Sequence, residues 1–202
     1  MKTPLAVVRT NTSEQALQAT KAVITGGIQA IEITFSVPQA EQVIATLKAD
    51  CQDDPRVIIG AGTILDPQMA STAIAAGAEF IVSPCFDQGT ADLCHLYQVP
   101  YLPGCMTINE IKQAMQAGSE VVKLFPANHF HSNFIKTVQA PLPQVAIMPT
   151  GGINLANLLE WKQAGALMVG IGGNLFQGVS EGNYELVSKT AQEYSKIWHQ
   201  TL

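Results

Sequence analysis

The feature that most constrains the fold is a regular alternation of short apolar runs with helix-like segments. The apolar runs cover residues 5–8, 30–35, 57–63, 80–83, 101–104, 121–127, 145–148 and 167–170. The helix-like segments cover residues 14–25, 38–51, 67–77, 87–97, 107–117, 130–139 and 155–164, with a last one from 184. Strands that alternate with helices form a parallel sheet. Eight such units predict one (β/α)8 TIM barrel, a single domain over residues 1–202.

The alternative architecture for this pattern is an open, doubly wound sheet. No G-x-G-x-x-G fingerprint follows the first apolar run, which argues against the dinucleotide-binding version of that fold. In a (β/α)8 barrel the active site lies at the carboxyl ends of the strands. The polar residues at those strand ends are therefore the candidates for function.

One apolar run carries a lysine near its centre. Lys123 lies within the run 121–127, although lysine is among the residues least often buried. Side chains alternate along a strand, so Lys123 shares a face with Val121 and Phe125. Inside a barrel that face is poorly solvated, and desolvation lowers the pKa of an amine. Such an amine is suited to attack a carbonyl group, and we interpret Lys123 as the nucleophile.

The second apolar run carries a carboxylate on its equivalent face. Glu32 and Thr34 share one face of this strand, while Ile31 and Ile33 lie on the other. In the functional interpretation Glu32 transfers protons while Lys123 acts as the nucleophile. In the structural interpretation the two residues form a buried ion pair, which contributes little net stability. The neighbouring threonines and glycines favour the functional interpretation.

Further polar residues and glycines lie at the predicted strand ends. They are Arg9, Thr63, Ser83, Thr150 and the glycine pairs Gly151-Gly152 and Gly172-Gly173. The loops after strands seven and eight commonly bind phosphate in this fold, and glycine lets the backbone approach oxygen atoms closely. One glycine pair would be better explained as a turn. Two pairs in these two loops predict an anion site.

Composition excludes several classes of partner. The formal net charge is -5 and there is no basic run, which argues against nucleic acid or an anionic membrane surface. The four cysteines have no metal-ligand spacing, and no apolar run is long enough to span a membrane. The first residues lack a signal-peptide stretch. We therefore expect a cytoplasmic protein with free thiols and neither a metal nor a cofactor.

Six short motifs follow one another in a characteristic order. They are Glu32-Ile33-Thr34, Gly60-Ala61-Gly62-Thr63, Ser83-Pro84, Pro103-Gly104, Lys123-Leu124-Phe125-Pro126 and Pro149-Thr150-Gly151-Gly152. In this order they closely resemble the 2-keto-3-deoxy-6-phosphogluconate (KDPG) / 4-hydroxy-2-oxoglutarate (KHG) aldolase family over essentially the whole chain. The resemblance implies a lyase, a metal-independent class I aldolase on a (β/α)8 barrel that assembles as a homotrimer.

The resemblance also implies roles for single residues. Lys123 matches the Schiff-base lysine and Glu32 the general acid/base. Arg9 and Thr63 match residues near the pyruvate end of the substrate. The residues that match the pocket lining are Ser83, Pro84 and Phe125, and those that match the anion-binding turn are Thr150, Gly151 and Gly152. The implied reaction cleaves KDPG, a keto-deoxy sugar-acid phosphate, to pyruvate and glyceraldehyde 3-phosphate, as in Entner-Doudoroff carbohydrate metabolism.

Two positions depart from the pattern of many relatives. Phe35-Ser36 stands where they carry an arginine, so we expect Arg9 to pair with the substrate carboxylate instead. Gly172-Gly173 stands where they have Gly-Ser, which removes a hydroxyl from the loop that binds phosphate, and we expect backbone N–H groups and Asn174 to compensate for it. Both departures bear on the identity of the substrate more than on the type of reaction.

Three alternatives remain open from the sequence. The same chemistry on 2-keto-3-deoxy-6-phosphogalactonate or on KHG is the nearest one. A second is a phosphate-binding isomerase or epimerase in which Glu32 is the base and Lys123 an electrostatic clamp. The third is a sugar-phosphate sensor without catalysis, which the presence of both Glu32 and Lys123 disfavours.

Overall fold

The computed structural model describes residues 3–200, in which nine short strands alternate with eight α-helices. The strands are β1 (Pro4–Val8), β2 (Ala30–Thr34), β3 (Ile58–Gly62), β4 (Ile81–Val82), β5 (Tyr101–Leu102), β6 (Gly104–Cys105), β7 (Val121–Leu124), β8 (Ala146–Pro149) and β9 (Val169–Ile171). The helices are α1 (Ser13–Thr25), α2 (Ala40–Asp50), α3 (Pro67–Ala75), α4 (Gln88–Leu96), α5 (Ile108–Gln116), α6 (Phe134–Gln139), α7 (Leu158–Gln163) and α8 (Tyr184–His199). The predicted alternation of strands and helices is confirmed.

The strands form two parallel sheets. One has six strands in the order β5-β4-β3-β2-β1-β9, and the other has three in the order β6-β7-β8. Two contacts join β8 to β9: the Leu167 N–H donates to the Ile147 carbonyl at 3.0 Å, and Thr150 forms an isolated bridge with Gly170. The parallel α/β class predicted from the sequence is confirmed, whereas closure into one eight-stranded barrel stays a prediction.

Two elements differ most clearly from the sequence prediction. The fifth apolar run is divided into β5 and β6 at Pro103, because proline has no N–H to continue the ladder. The predicted helix 130–139 begins only at Phe134, after a short 3-10 turn at Ala127–His129. Phe130 has extended backbone angles, φ -124° and ψ 150°, which end that turn before the helix begins.

Local sequence explains where several helices begin. Side chains of Thr12, Asp66, Asp87, Thr107 and Asn183 accept backbone N–H groups of the first helical turns. Thr107 and Glu110 form a complete capping box at the start of α5. These caps satisfy N–H groups that have no partner inside a helix.

Apolar side chains are buried on both faces of the sheets. The larger cluster lies between strands and helices and includes Ile31 and Ile33, as the alternation predicted. A smaller cluster brings together the opposite faces of the two sheets, and we call it the inner apolar layer. Its members are Leu5, Val7, Ala30, Phe80, Val82, Leu102, Met148 and Met168.

Three properties of residues 3–200 concern the predicted environment of the protein. No helix in this part of the chain is long and apolar enough to cross a membrane. Histidine, cysteine and acidic side chains nowhere within it form a group of three that could hold a metal ion. Cys51, Cys85, Cys94 and Cys105 are free thiols.

Candidate active site

Lys123 and Glu32 approach each other from the two sheets. Lys123 lies on β7 in register with Gly104 and Met148, and Glu32 lies on β2 in register with Val7 and Gly60. The Lys123 side chain is 6% exposed and that of Glu32 is 1% exposed. Lys123 Nζ lies 3.8 Å from Glu32 Oε1. The structure therefore brings the two predicted catalytic residues together in a nearly dry interior.

Burial shifts both pKa values towards the neutral forms. Desolvation lowers the pKa of Lys123, and the opposing charge of Glu32 offsets only part of this shift. Desolvation likewise raises the pKa of Glu32, against the charges of Lys123 and Arg9. Arg9 favours an unprotonated amine at Lys123, because its positive charge repels an ammonium group. A neutral amine can add to a carbonyl group, and a neighbouring carboxyl group can donate or accept the protons that this reaction moves.

The Glu32 carboxyl has no hydrogen-bond donor among the described residues. Both of its oxygens are buried, and at 3.8 Å the Lys123 amine is too far away for a hydrogen bond. A buried polar group without a partner is costly and is concentrated at functional sites. This state is unlike a fully bonded structural ion pair, and it supports the functional interpretation.

Three further residues surround the pair at the strand ends. The Phe125 ring centroid lies 5.0 Å from Lys123 Nζ. Arg9 is exposed, and its Nη2 donates to Thr63 Oγ1 at 3.1 Å. Thr63 has φ 60°, a left-handed conformation that is rare for a β-branched residue. Such backbone strain often marks a functional site, as the position of Thr63 directly after β3 suggests.

A cavity of about 450 Å³ lies at the carboxyl ends of β8 and β9. It is lined by Val7, Phe125, Thr150, Gly151, Gly152, Ile153, Gly172, Gly173, Asn174 and Gln177. Six of these were predicted as site residues from the sequence, and a seventh, Asn174, was named as a further donor. Phe125 connects this cavity to the Lys123 amine.

The two glycine loops give this cavity its polar wall. Gly151 and Gly152 have φ 99° and 76°, which only glycine adopts without strain. After β9, the carbonyl of Gly172 accepts the Leu175 N–H at 2.9 Å. This turn leaves the N–H groups of its first residues outside its own hydrogen bonds. The arrangement is suited to hold an anion through the backbone.

Asn174 connects the two glycine loops. Its Nδ2 donates to the carbonyl of Ile153 at 3.2 Å. The side-chain amide that the sequence suggested as an anion donor is thus bonded to the neighbouring loop. Asn174 therefore holds the two loops together.

Ser83 and Pro84 lie outside the lining of this cavity. The Ser83 hydroxyl donates to the Cys85 carbonyl at 2.7 Å and lies 2.6 Å from the Tyr101 hydroxyl. Burial raises the pKa of Tyr101 to about 12, so this phenol stays protonated. Ser83 and Tyr101 fix the loop that follows β4.

Sequence reasoning missed three residues of the cavity wall: Val7, Ile153 and Gln177. Alternation along the first apolar run could have placed Val7 on the inner face together with Leu5. Ile153 follows a glycine pair that was already singled out. Gln177 lies in a loop without strand or helix periodicity, so no sequence signal identified it.

Comparison with known proteins gives a consistent result. The family model described as KDPG and KHG aldolase matches residues 2–190. The 2-dehydro-3-deoxy-phosphogluconate aldolase of Treponema pallidum (strain Nichols) is 36% identical over 195 residues, which are 95% of this chain and 91% of that protein. The 2-dehydro-3-deoxy-6-phosphogalactonate aldolase of Escherichia coli (strain K12) is 34% identical, with 95% and 91% covered.

A solved structure supports the same relationship. The KDPG aldolase from Legionella pneumophila, with pyruvate captured at low pH as a covalent carbinolamine intermediate, superimposes with a TM-score of 0.87. The two sequences are 27% identical, and the match covers 96% of this chain and 95% of that one. The fold and the sequence therefore indicate the same relatives.

Proposed function

This chain belongs to the KDPG and KHG aldolase family, and on that premise we propose that it is a class I aldolase whose Schiff-base residue is Lys123. The observation that carries the proposal is the buried pair of Lys123 and Glu32, 3.8 Å apart. Burial lowers the pKa of the amine and raises that of the carboxyl. The nucleophile and the proton carrier are thereby available together.

The reaction proceeds in steps that keep the proton balance between these two groups. The neutral Lys123 amine adds to the C2 ketone, and Glu32 protonates the departing hydroxyl, so that water leaves and an iminium forms. Glu32, now a carboxylate, accepts the proton of the C4 hydroxyl. The C3–C4 bond breaks, its electron pair is taken up by the iminium to give an enamine, and the aldehyde formed at C4 leaves. The resulting enamine takes this proton at C3, and hydrolysis releases pyruvate.

The other site residues divide between the two ends of the substrate. Arg9 and Thr63, joined at 3.1 Å, bind the carboxylate end beside Lys123. Phe125 and the loops containing Thr150, Gly151, Gly152, Gly172 and Gly173 hold the distal phosphate, supported by the cavity that they line. Ser83 and Pro84 shape the neighbouring loop.

For the substrate we propose KDPG, which yields pyruvate and glyceraldehyde 3-phosphate. The galactonate epimer and KHG are the alternatives, because the family includes aldolases for KHG and a relative is named for the phosphogalactonate. Relative kcat/KM on the three compounds separates them. KHG has no phosphate, so a preference for it would contradict the anion-binding role of the glycine loops.

We further propose that the two sheets close into one eight-stranded barrel, a single domain over residues 1–202. Closure is supported by the Thr150–Gly170 bridge and by β5 and β6, which are separated only by Pro103. A cytoplasmic homotrimer is the proposed assembly. Exposed apolar side chains such as Leu96, at 75%, and Tyr97, at 57%, are consistent with contact between copies, and sedimentation velocity measures the oligomeric state.

Borohydride reduction in the presence of pyruvate tests the proposed function. We expect a stable adduct on Lys123, located by peptide mass analysis, and none in Lys123→Ala. Lys112→Ala removes an exposed lysine from α5 and serves as the matched control that still forms the adduct. An unmodified Lys123 at saturating pyruvate would contradict the Schiff-base mechanism and favour the isomerase or the sensor.

A further inference from the structure

The position of the Glu32 carboxyl requires a physical explanation. Catalytic groups are usually held by hydrogen bonds from neighbouring residues. In the described part of the chain, neither Glu32 oxygen has a hydrogen-bond partner, and the nearest cation is 3.8 Å away. The orientation of this side chain must therefore be set by the shape of the space around it.

That space is created by a glycine on the neighbouring strand. Strand β3 is in register with β2, so that Glu32 lies beside Gly60 and Thr34 lies beside Gly62. The Glu32 side chain extends towards the carboxyl end of the sheet and lies over Gly62. A Cβ atom on Gly62 would collide with Oε1, Cδ and Cγ of Glu32.

The other inward-facing glycine of β3 has a different neighbour. A Cβ atom on Gly60 would come within 2.5 Å of the Phe80 ring, which belongs to the inner apolar layer. The two glycines thus make room for two different side chains, one apolar and one catalytic. Gly62 has a buried backbone without positive φ, so turn geometry does not explain its presence.

We propose that Gly62 is a positioning residue for proton transfer, because its missing side chain forms the slot that holds the Glu32 carboxyl beside Lys123. This inference rests on the proposed function of Glu32. A methyl group at position 62 would displace the carboxyl while leaving the amine of Lys123 in place. Carbonyl attack and proton transfer would then respond differently to the same substitution.

The test is Gly62→Ala with two readouts on pyruvate alone. After equilibration with pyruvate, a short pulse of borohydride reports the equilibrium amount of imine at Lys123, which does not depend on how fast Glu32 promotes the loss of water. Exchange of the pyruvate methyl protons in D2O, followed by NMR, reports the rate of proton transfer at C3. We expect the ratio of exchange to trapping to fall about 10- to 100-fold, as for a misplaced acid/base group. Using a ratio removes any effect of the amount of folded protein.

Gly60→Ala is the matched control, since it adds the same methyl group to the same face of β3. We expect it to lower the melting temperature through Phe80 and to leave the ratio of exchange to trapping unchanged. An unchanged ratio in Gly62→Ala, or an equal fall in Gly60→Ala, overturns the positioning role.

A double variant keeps the proposal testable if Gly62→Ala folds poorly. Glu32→Asp shortens the side chain by one methylene and withdraws the carboxyl from position 62. We expect Glu32→Asp/Gly62→Ala to melt at a higher temperature than Gly62→Ala, because the collision is relieved. Purely additive shifts in melting temperature would show that Glu32 is not the side chain for which Gly62 makes room.

Failure of the proposed function and failure of the positioning role of Gly62 give different experimental results. If the unmodified protein shows neither trapping nor exchange, the proposed function is wrong. The melting temperatures of the variants still decide whether Gly62 accommodates Glu32.

Discussion

The two ends of the inner sheet faces have opposite chemistry, although the same strands form both. Most of the inner apolar layer lies towards the amino ends, as Ala30 of β2 does, while Met148 of β8 and Val7 of β1 adjoin the charged pair in register. Two residues beyond Ala30 and Met148 lie Glu32 and Thr150. This step spans about 6.6 Å along a strand. An apolar layer thus changes into the candidate active site over little more than the length of one side chain.

The comparison shows that some positions of the inner face stabilise the fold, while neighbouring positions of the same face hold the polar groups of the candidate site. The inner apolar layer contains only groups whose burial is favourable. The neighbouring positions contain the amine of Lys123, the carboxyl of Glu32 and the hydroxyl of Thr150. Within the described residues, the Thr150 hydroxyl, like the Glu32 carboxyl, lacks a hydrogen-bond partner. Those groups cost stability when buried, and the apolar layer below them, with the helices outside, offsets that cost.

Among the residues of the polar end, by which we mean Lys123, Glu32 and Thr150, replacing Glu32 by glutamine should have the largest effect on activity. The amide keeps the shape of the side chain but carries no transferable proton. We expect exchange of the pyruvate methyl protons to fall about 10²- to 10⁴-fold, the usual contribution of a general acid/base. NMR in D2O measures it. The adduct at Lys123 should form more slowly, because Glu32 also promotes the loss of water, but it should still accumulate after long incubation with pyruvate. Its complete loss would mean that Glu32 is needed for the amine itself.

Moving a lysine by one strand should show that a position of the inner apolar layer does not tolerate an amine. Met148→Lys places a second amine beside Lys123, its register partner, without a carboxylate of its own. We expect a loss of about 3 kcal/mol or more in the free energy of unfolding, measured by urea denaturation. The counterpart Glu32→Met/Lys123→Met removes both charged groups and should be neutral or stabilising. Equal losses in the free energy of unfolding for Met148→Lys and for Glu32→Met/Lys123→Met would contradict this difference between the inner apolar layer and the charged pair.

The pH dependence of labelling should separate buried and exposed amines. Only the neutral amine reacts with an acylating reagent, and burial lowers the pKa of Lys123 below its usual 10.5. Lys21 is exposed and its pKa is raised above that value by Asp50. As pH rises, Lys123 should therefore react at a lower pH than Lys21, in peptide mass analysis with a small reagent. The reverse order would show that Lys123 stays protonated in the folded protein.

The smallest effect is expected where the polar end meets the glycine loops. Asn174→Ala removes the 3.2 Å hydrogen bond to the Ile153 carbonyl. One such bond contributes about 1 kcal/mol, so KM for phosphorylated substrates should rise about 3- to 10-fold. Steady-state kinetics with KDPG measures this rise. Trapping with pyruvate serves as the control, since a change there would place Asn174 outside the distal subsite.

Alternation along the strands made much of the site predictable. A charged residue inside an apolar run is conspicuous, and a period of two assigns it to a face. Lys123 and Glu32 were found in this way, and Ile31 and Ile33 were correctly placed on the opposite face. The glycine pairs were recognised because they follow strands at the end where loops form sites.

Other features follow from local backbone geometry or from contacts between residues far apart in the chain. The division at Pro103 and the late start of α6 at Phe134 follow from local backbone geometry that periodicity does not contain. The bond from Asn174 to Ile153 joins two loops 21 residues apart. Gln177 reaches the cavity only because its loop folds over the end of β9.

The sequence by itself determined the parallel α/β class and the faces on which the charged residues lie, because both follow from local periodicity. Only the tertiary structure decided that Lys123 and Glu32 are 3.8 Å apart and that Gly62 makes room for the carboxyl. Those relationships depend on register between strands. Register is set by packing of the whole sheet against its neighbours.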